Sequence, residues 1–199
     1  MLNNRFILFL LLMTIGMYSN GQSSMEELES DVHEKLVSLR KSFDDQSKLE
    51  ANAELIKSLK KALSKEEAFD HQFATLKSMG TIKSPDNKFR FFNWNIELED
   101  QTNKYFCYMM LYDSRKRNYK IIEFKDQSFL LPPRPDNVLN PNNWYGALYY
   151  KIIPKSKGSK TYYTLLGYDG NNQTSTVKII DALTISGTRV KLGAPIFIT

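Results

Sequence analysis

The chain has 199 residues, of which 27 are Lys or Arg and 22 are Asp or Glu, so its formal net charge is only +5. A mild positive excess of this size does not mark a nucleic-acid-binding protein, because ordinary solvated basic residues account for it. Cys107 is the single cysteine, so no internal disulfide can form and the fold must rely on a hydrophobic core, which this length can supply.

Residues 1–21 have the composition of a secretory signal peptide. Arg5 precedes a run of eight apolar residues, and small polar residues then follow. Ser19 and Gly21 lie three positions and one position before a cleavage site at Gln22. The apolar run is well short of the ~18 residues expected of a membrane span, and no cysteine follows it for lipid attachment. We therefore expect a secreted or periplasmic protein, cleaved near Gly21, with no transmembrane span in the mature chain.

Residues 22–80 are predicted to form a helical segment. Ser24 and Glu27 make a capping box at its start, and the acidic, serine-containing stretch 43–47 predicts a break. Apolar residues recur every three or four positions, which places them on one face of each helix. The predicted stripes are Met25, Leu28, Val32, Leu36, Leu39 and Phe43 in the first helix, Leu49, Ala53, Ile56, Leu59 and Leu63 in the second, and Phe69, Phe73 and Leu76 in a short third helix. These stripes fit a hairpin packed on itself or on a later sheet, with a dimerising coiled coil as the alternative.

Residues 81–87 are expected to be a linker, and residues 88–199 an antiparallel β domain. Of the 25 aromatic residues, 19 lie between Phe89 and Phe197. Strand patterns are dense from residue 89 onward, interrupted by a proline-rich connection at 131–143. Residues 177–185 fit a strand or a short helix, with the strand favoured. The predicted fold class is α+β, in which the helical segment precedes an aromatic-rich, mainly antiparallel β-meander.

No catalytic or cofactor motif is present. His33 is followed by Glu34, but the next histidine is His71, so the His-Glu-x-x-His zinc pattern is absent. The chain also lacks a Gly-x-Ser-x-Gly nucleophile elbow. Both histidines are interpreted as ordinary surface residues. We assign no catalytic residue, no metal ligand and no cofactor from the sequence.

The most distinctive loop begins at Tyr168 and continues through Asp169, Asn171 and Asn172. Asp169, Asn171 and Gln173 alternate as oxygen ligands do in a calcium loop, although the later bidentate Glu of an EF-hand is missing. The same residues are ordinary turn formers because they tolerate positive φ angles. Turn formation is the favoured interpretation, and calcium binding is the alternative.

Two other groups of residues are candidates for binding. Trp144 and Tyr145 follow the proline- and asparagine-rich connection and could form an aromatic platform, although core packing is the favoured interpretation. A lysine cluster surrounds a predicted hairpin tip and would suit anionic glycans or phospholipid headgroups, or simply keep the hairpin end soluble. This cluster consists of Lys151, Lys155, Lys157 and Lys160.

Four strings of the β region are distinctive: W-Y-G-A-L-Y-Y-K-I-I-P at 144–154, Y-Y-T-L-L-G-Y-D-G-N-N at 162–172, G-A-P-I-F at 193–197 and K-F-R-F-F-N-W-N at 88–95. Together they resemble a group of secreted proteins of unknown function from Bacteroidetes-type bacteria. The resemblance covers about residues 86–199 and carries no known activity. Proteins of this kind usually continue beyond the G-A-P-I-F string, so the resemblance implies a C-terminally truncated copy.

The sequence therefore predicts an exported, non-enzymatic protein that binds an envelope or extracellular component through an aromatic β surface or its loops. The expected partner is an envelope glycan or protein, and not nucleic acid. Two alternatives remain. One is a hydrolase with a dispersed carboxylate and tyrosine site, which a pocket with two facing carboxylates would favour. The other is an interaction subunit that docks through its amphipathic helices, which an exposed apolar helix face would favour.

Overall fold

The structure is a computed structural model that describes residues 23–131 and 138–193. The predicted signal peptide, most of the prolines of the 131–143 connection and the end of the G-A-P-I-F string lie outside the described residues. No helix within the described ranges is long and apolar enough to cross a lipid bilayer.

Two α-helices form the N-terminal part, as predicted. Helix α1 spans Met25–Lys41 and helix α2 spans Asp45–Leu63. The capping box of α1 is present, because the Ser24 hydroxyl accepts from the Glu27 amide and the Glu27 carboxylate accepts from the Ser24 amide. Asp44 caps α2 by accepting from the Ser47 amide. The break between the helices therefore follows the capping chemistry of the sequence.

Three details of the helical prediction are wrong. The third helix is only a 3₁₀ turn at Glu66–Phe69, because the chain then bends through Phe73, whose φ is +48°. The buried face of α2 is also shifted relative to the predicted stripe, and it includes Asn52. Asn52 accepts a hydrogen bond of 2.7 Å from the buried Trp94 indole, so a polar residue occupies a core position. Phe43 lies beyond the end of α1 and is exposed.

The described residues form two antiparallel four-stranded sheets in place of the single meander that was expected. The first sheet contains β1 (Gly80–Lys83), β2 (Phe89–Glu97), β3 (Asn103–Asp113) and β4 (Asn118–Lys125) in that spatial order. Strand β1 begins at Gly80, the last residue of the predicted helical segment, and continues into the predicted linker, where Thr81 and Ile82 pair with Phe92 and Phe91. The linker prediction missed this strand because it is only four residues long.

The second sheet contains β5 (Leu148–Lys157), β6 (Lys160–Asn172), β7 (Ser175–Ser186) and β8 (Arg189–Lys191), also in chain order. The strand interpretation of 177–185 is confirmed by β7. Residues 189–191 pair with 184–186 as the closing hairpin, and Leu192 bridges to Leu139. The protein is thus mostly β with an N-terminal helical part.

The three layers are helices, first sheet and second sheet. One face of the first sheet packs on α1 and α2 through side chains such as Phe92, Trp94 and Met110. Its other face packs on the second sheet through Phe91, Met109 and their neighbours. The second sheet is therefore covered on one face only, and its other face is open to solvent.

The apolar stripe of α1 is part of this internal packing. Leu28, Val32, Leu36 and Leu39 are buried in the same cluster as Phe92 and Trp94 of the first sheet. The stripe is therefore covered by the protein's own sheet, and the helical hairpin packs both on itself and on the sheet.

Candidate functional site

The positive charge of the chain is concentrated in the second sheet. Residues 148–191 contain seven Lys or Arg and only two acidic residues, so this segment accounts for the whole formal net charge of +5. The two acids, Asp169 and Asp181, face inward. The Asp169 carboxylate accepts a hydrogen bond from Tyr105 of the first sheet, and the Asp181 carboxylate accepts from the buried Tyr149. The charged side chains of residues 148–191 that lie on the outer face of the sheet are therefore all cations.

The strand register brings five of these cations together. Lys155 is opposite Tyr162, Tyr162 is opposite Thr184, and Thr184 is opposite Lys191, which makes one row across all four strands. Paired residues lie on the same face of a sheet. Residues two positions apart on a strand lie on the same face. A second row on this face therefore lies two positions along each strand, and it contains the pairs Lys157–Lys160 and Ser186–Arg189.

These eight residues point away from the core. The alternate residues Tyr163, Leu183 and Val190 are buried against the first sheet, so their neighbours along the strands face outward. All five cations are exposed, and Tyr162 and Thr184 between them are partly exposed. We call this set the basic face, consisting of Lys155, Lys157, Lys160, Arg189 and Lys191 with Tyr162, Thr184 and Ser186.

A groove of about 550 Å³ adjoins the basic face, a volume within the roughly 300–1,000 Å³ that is common for ligand sites. Its lining includes Lys160, Arg189 and Lys191 of the basic face, and also Lys88 from the turn between β1 and β2. Among the described residues, the lining contains hydroxyl groups but no carboxylate. A concave surface lined by one sign of charge focuses the electrostatic potential and attracts ions of the opposite sign.

One acidic residue, the exposed Asp86, lies near the groove. Tyr163, which also lines the groove, donates its hydroxyl to Asp86 at 2.6 Å. Burial opposes ionisation of Asp86, but this bond and those from Ser84 and Lys88 hold the pKa of its carboxyl below the ordinary value. Burial and the bond to Asp86 in turn raise the pKa of Tyr163. The Tyr163 hydroxyl is therefore occupied within the protein.

The outer face continues beyond the basic face with a patch of tyrosine and aliphatic side chains. Tyr150 is 56 % exposed and Ile180 is 63 % exposed. The Lys178 Nζ lies 4.8 Å from the ring centre of Tyr168 and 6.0 Å from that of Tyr150, a cation–π arrangement. Tyr168, one of the predicted site residues, is thus partly exposed on the same face as the cations.

The alternative of an aromatic platform does not apply to Trp144, and the favoured core packing does. Trp144 is completely buried, and its indole donates to the Tyr149 hydroxyl at 2.9 Å inside the core between the sheets. Core packing is therefore the correct interpretation for Trp144, since its ring packs against Phe124. Tyr145 is partly buried, and both burial and the nearby Asp169 charge raise the pKa of its hydroxyl.

Asp169 and Asn171 belong to a polar junction that joins the two sheets. The Tyr105 hydroxyl donates to the Asp169 carboxylate at 2.6 Å and accepts from the Gly170 amide at 2.8 Å. Burial, followed by the bond to Asp169, raises the pKa of Tyr105. The same Asp169 oxygen accepts from the Asn171 amide at 2.7 Å. Gly146 packs so closely here that a Cβ atom would lie 2.8 Å from Tyr105, and its φ is +82°.

The geometry of the 168–173 loop agrees with the turn interpretation, and calcium binding stays an alternative prediction. Asn171 has a φ of +50°, and its side chain donates to Ser175. Asn172 is exposed, and its amide oxygen accepts from the Thr174 and Ser175 amides. Because the Asp169 oxygen is also bonded internally, Asp169 and Asn171 serve the turn. Gln173 is exposed beside them.

A second polar network lies on the helical side of the molecule. Glu29 of α1 accepts from the Thr75 amide and hydroxyl, at 2.7 and 2.6 Å, and bonds to His71 at 2.5 Å. The surface interpretation of His71 is therefore wrong, because its ring is largely buried against α1, whereas His33 is exposed as expected. Within residues 23–131 and 138–193, no three His, Cys, Asp or Glu side chains cluster as metal ligands would.

The sequence indicated part of the basic face and missed the rest. Lys155, Lys157 and Lys160 were recognised as a cluster because they surround one hairpin. Arg189 and Lys191 are about 30 residues away along the chain, and only the pairing of β7 with β8 brings them alongside. The sequence signal that could have found them is the spacing of two between Arg189 and Lys191, just after the Ser186-Gly187 turn. This spacing puts both cations on one face of a short strand.

Comparisons with known proteins add no further assignment. No family model, no curated protein and no solved structure matches this chain.

Proposed function

We propose that this chain is an exported, non-enzymatic protein that binds an anionic glycan of the cell envelope or the extracellular medium on the basic face of its second sheet. The observation that carries the proposal is the segregation of charge. Seven cations lie in residues 148–191, while both acids of that segment are hydrogen-bonded on the inner side. Complementary charge of this kind favours capture and orientation of an anionic partner.

The neighbouring side chains suit a sugar polymer. Tyr162, Thr184 and Ser186 lie between the cations and offer hydroxyl groups to sugar hydroxyls, carboxylates or sulfates. Tyr150 and Tyr168 provide partly exposed rings further along the same face, and amphipathic aromatic side chains are suited to contact surfaces of this kind. The aromatic β surface expected from the sequence is therefore assigned to these tyrosines, and Trp144 is excluded from it.

The two alternative functions have less support. The hydrolase alternative calls for two carboxylates that face each other in a concave site, and the described lining of the groove beside the basic face includes none. The interaction-subunit alternative calls for an exposed apolar helix face, whereas the α1 stripe is buried against the first sheet. We therefore prefer binding on the second sheet.

The proposal is tested by titrating the protein with a sulfated or uronate tetrasaccharide in a calorimeter, with a neutral tetrasaccharide alongside. We expect binding of the anionic sugar only, weakened by added salt because the contacts are exposed. Replacement of Lys155, Lys157 and Lys160 by Gln should lower the affinity at least tenfold.

The matched control replaces three exposed lysines outside the second sheet, Lys41, Lys61 and Lys77, by Gln. Both triple variants have the same net charge, so the control should change the affinity less than twofold. Equal losses in the two variants would show that only net charge matters, and equal binding of neutral and anionic sugars would also overturn the proposal.

A further inference from the structure

Strand β8 lies between two grooves. The groove beside the basic face is lined by Arg189 and Lys191, and so is a second groove of about 610 Å³ on the other side of the strand. The second groove is bordered by β4, the outermost strand of the first sheet, and by residues 140–142. Arg189 and Lys191 are therefore shared by two concave surfaces that belong to different sheets.

The second groove continues the positive charge. Lys120 and Lys125 of β4 line it and are exposed. Glu123 is the one carboxylate among its described lining residues, and it is bonded by Lys60 Nζ at 3.3 Å. The two linings thus place cations on both sides of β8, and we call these cations together the track.

The length of this track exceeds what a single anion would need. The row from Lys155 to Lys191 crosses three inter-strand spacings, which is about 14 Å at ~4.8 Å per spacing. Lys120 and Lys125 lie beyond it, on a different sheet. A lone phosphate or sulfate would contact one groove, whereas a chain with repeated negative charges can contact both.

We infer that the ligand is a linear polyanionic polysaccharide that crosses β8 and occupies both grooves at once. This inference rests on the proposed function and specifies its ligand class. The first groove is lined by Tyr162 and Tyr163, so the preference for a polysaccharide over a nucleic acid rests on the second groove. Its described lining includes the amide side chains of Asn140 and Asn142 and the Thr188 hydroxyl, but no aromatic ring. Single-stranded nucleic acids are commonly held by stacking their bases on aromatic side chains.

The test is a length series of one sulfated polysaccharide, from tetrasaccharide to dodecasaccharide, measured by calorimetry on the full chain. We expect the affinity to rise at least tenfold once the oligosaccharide is long enough to reach the second groove, because the second contact is then intramolecular. An affinity that is independent of length, after allowance for the number of overlapping sites, would overturn the inference while leaving the proposed function intact.

Variants separate the two grooves. Replacing Lys120 and Lys125 by Gln should lower the affinity of the long oligosaccharide at least fivefold more than that of the tetrasaccharide. The control, with Lys41 and Lys61 replaced by Gln, should keep the full gain. Equal loss at both lengths would refute a second groove contact. Tighter binding of single-stranded DNA than of a polysaccharide with equal charge would refute the ligand class. If no oligosaccharide binds at all, the proposed function itself fails.

Discussion

The two sheets have similar size and topology but opposite relations to solvent. The first sheet lies between the helices and the second sheet, so both its faces are covered, and almost every residue of β2 is buried. The second sheet is covered on one face, and most of β7 is exposed or half-buried. A sheet with two covered faces needs apolar residues at consecutive positions, whereas a sheet with one covered face needs them only at alternate positions.

This difference determines where function can be located. Rings of the first sheet pack on one another or on neighbouring layers, as Phe91 does edge-to-face with Phe124 and stacked with Tyr149. Replacing these rings would destabilise the fold whether or not a ligand is bound. The outer face of the second sheet packs against no other layer among the described residues, so replacing its lysines and tyrosines should change the stability of the fold little. We therefore expect stability to depend on the first sheet and binding on the second.

The largest expected difference compares Phe91 with Ile180. Phe91 is completely buried between the two sheets, and Phe91→Ala should lower the free energy of unfolding by about 3–5 kcal/mol. Ile180 lies on the open face, so Ile180→Thr, which keeps a β-branched side chain, should change it by less than about 0.5 kcal/mol. Urea unfolding measures both.

If Phe91→Ala does not fold, Phe91→Leu gives a smaller loss of the same sign and keeps the comparison measurable. Losses of similar size at Phe91 and Ile180 would contradict the assignment of one open and one covered sheet. They would indicate that the outer face of the second sheet is itself packed against something.

The sequence predicted the elements better than their arrangement. Caps and spacing are local, so α1, α2 and most strands follow from residues such as Ser24 and Asp44. The division into two stacked sheets depends on which strands pair and which face each other, and that information is spread along the chain. The four-residue β1 was missed for the same reason, since its pairing with β2 defines it.

The candidate site shows the same limit. The lysine cluster around the hairpin was visible as composition, but its completion by Arg189 and Lys191 depends on the register of β6, β7 and β8. Burial of Trp144 could not be separated from exposure, because an aromatic residue after a loop suits either. Arg90 is a charged residue that is buried, and its guanidinium donates to the Ala68 and Phe69 carbonyls. The order of polar and apolar residues along β2 does not predict these hydrogen-bond partners.

A second prediction concerns the covered helical side, where Glu29 bonds to Thr75 and His71. Glu29→Ala should cost about 2–3 kcal/mol, because it leaves the Thr75 amide and the His71 ring without their buried partner. Glu34→Ala on the same helix is the control. Glu34 is largely exposed and pairs only with its neighbour Lys35, so its removal should change stability by less than about 0.5 kcal/mol.

The Glu29 contribution also has a defined pH dependence. Burial opposes ionisation, but the bonds from Thr75 and His71 outweigh it and hold the pKa of Glu29 below its ordinary value of 4.5. The ionised carboxylate therefore stabilises the fold fully above pH 4.5, and this stabilisation is lost as the pH falls through the folded-state pKa. The stability difference between the original protein and Glu29→Ala should be constant near neutrality and shrink in acid. A difference that grows in acid would contradict the network.

The smallest expected effect concerns the contact between the two sheets, and it separates their roles most sharply. Tyr105→Phe removes the hydroxyl that donates to Asp169 and accepts from Gly170, so it should lower the free energy of unfolding by about 1.5 kcal/mol. Tyr162→Phe on the basic face should change stability little, since its hydroxyl faces outward. Asp169 and Tyr162 are seven residues apart on β6, or about 23 Å at ~3.3 Å per residue.

Tyr105→Phe should therefore leave tetrasaccharide affinity unchanged, while Tyr162→Phe should weaken it. Urea unfolding and calorimetry on both variants give four values, and a loss of affinity in Tyr105→Phe equal to that in Tyr162→Phe would show that stability and binding are not divided between the sheets as their packing implies.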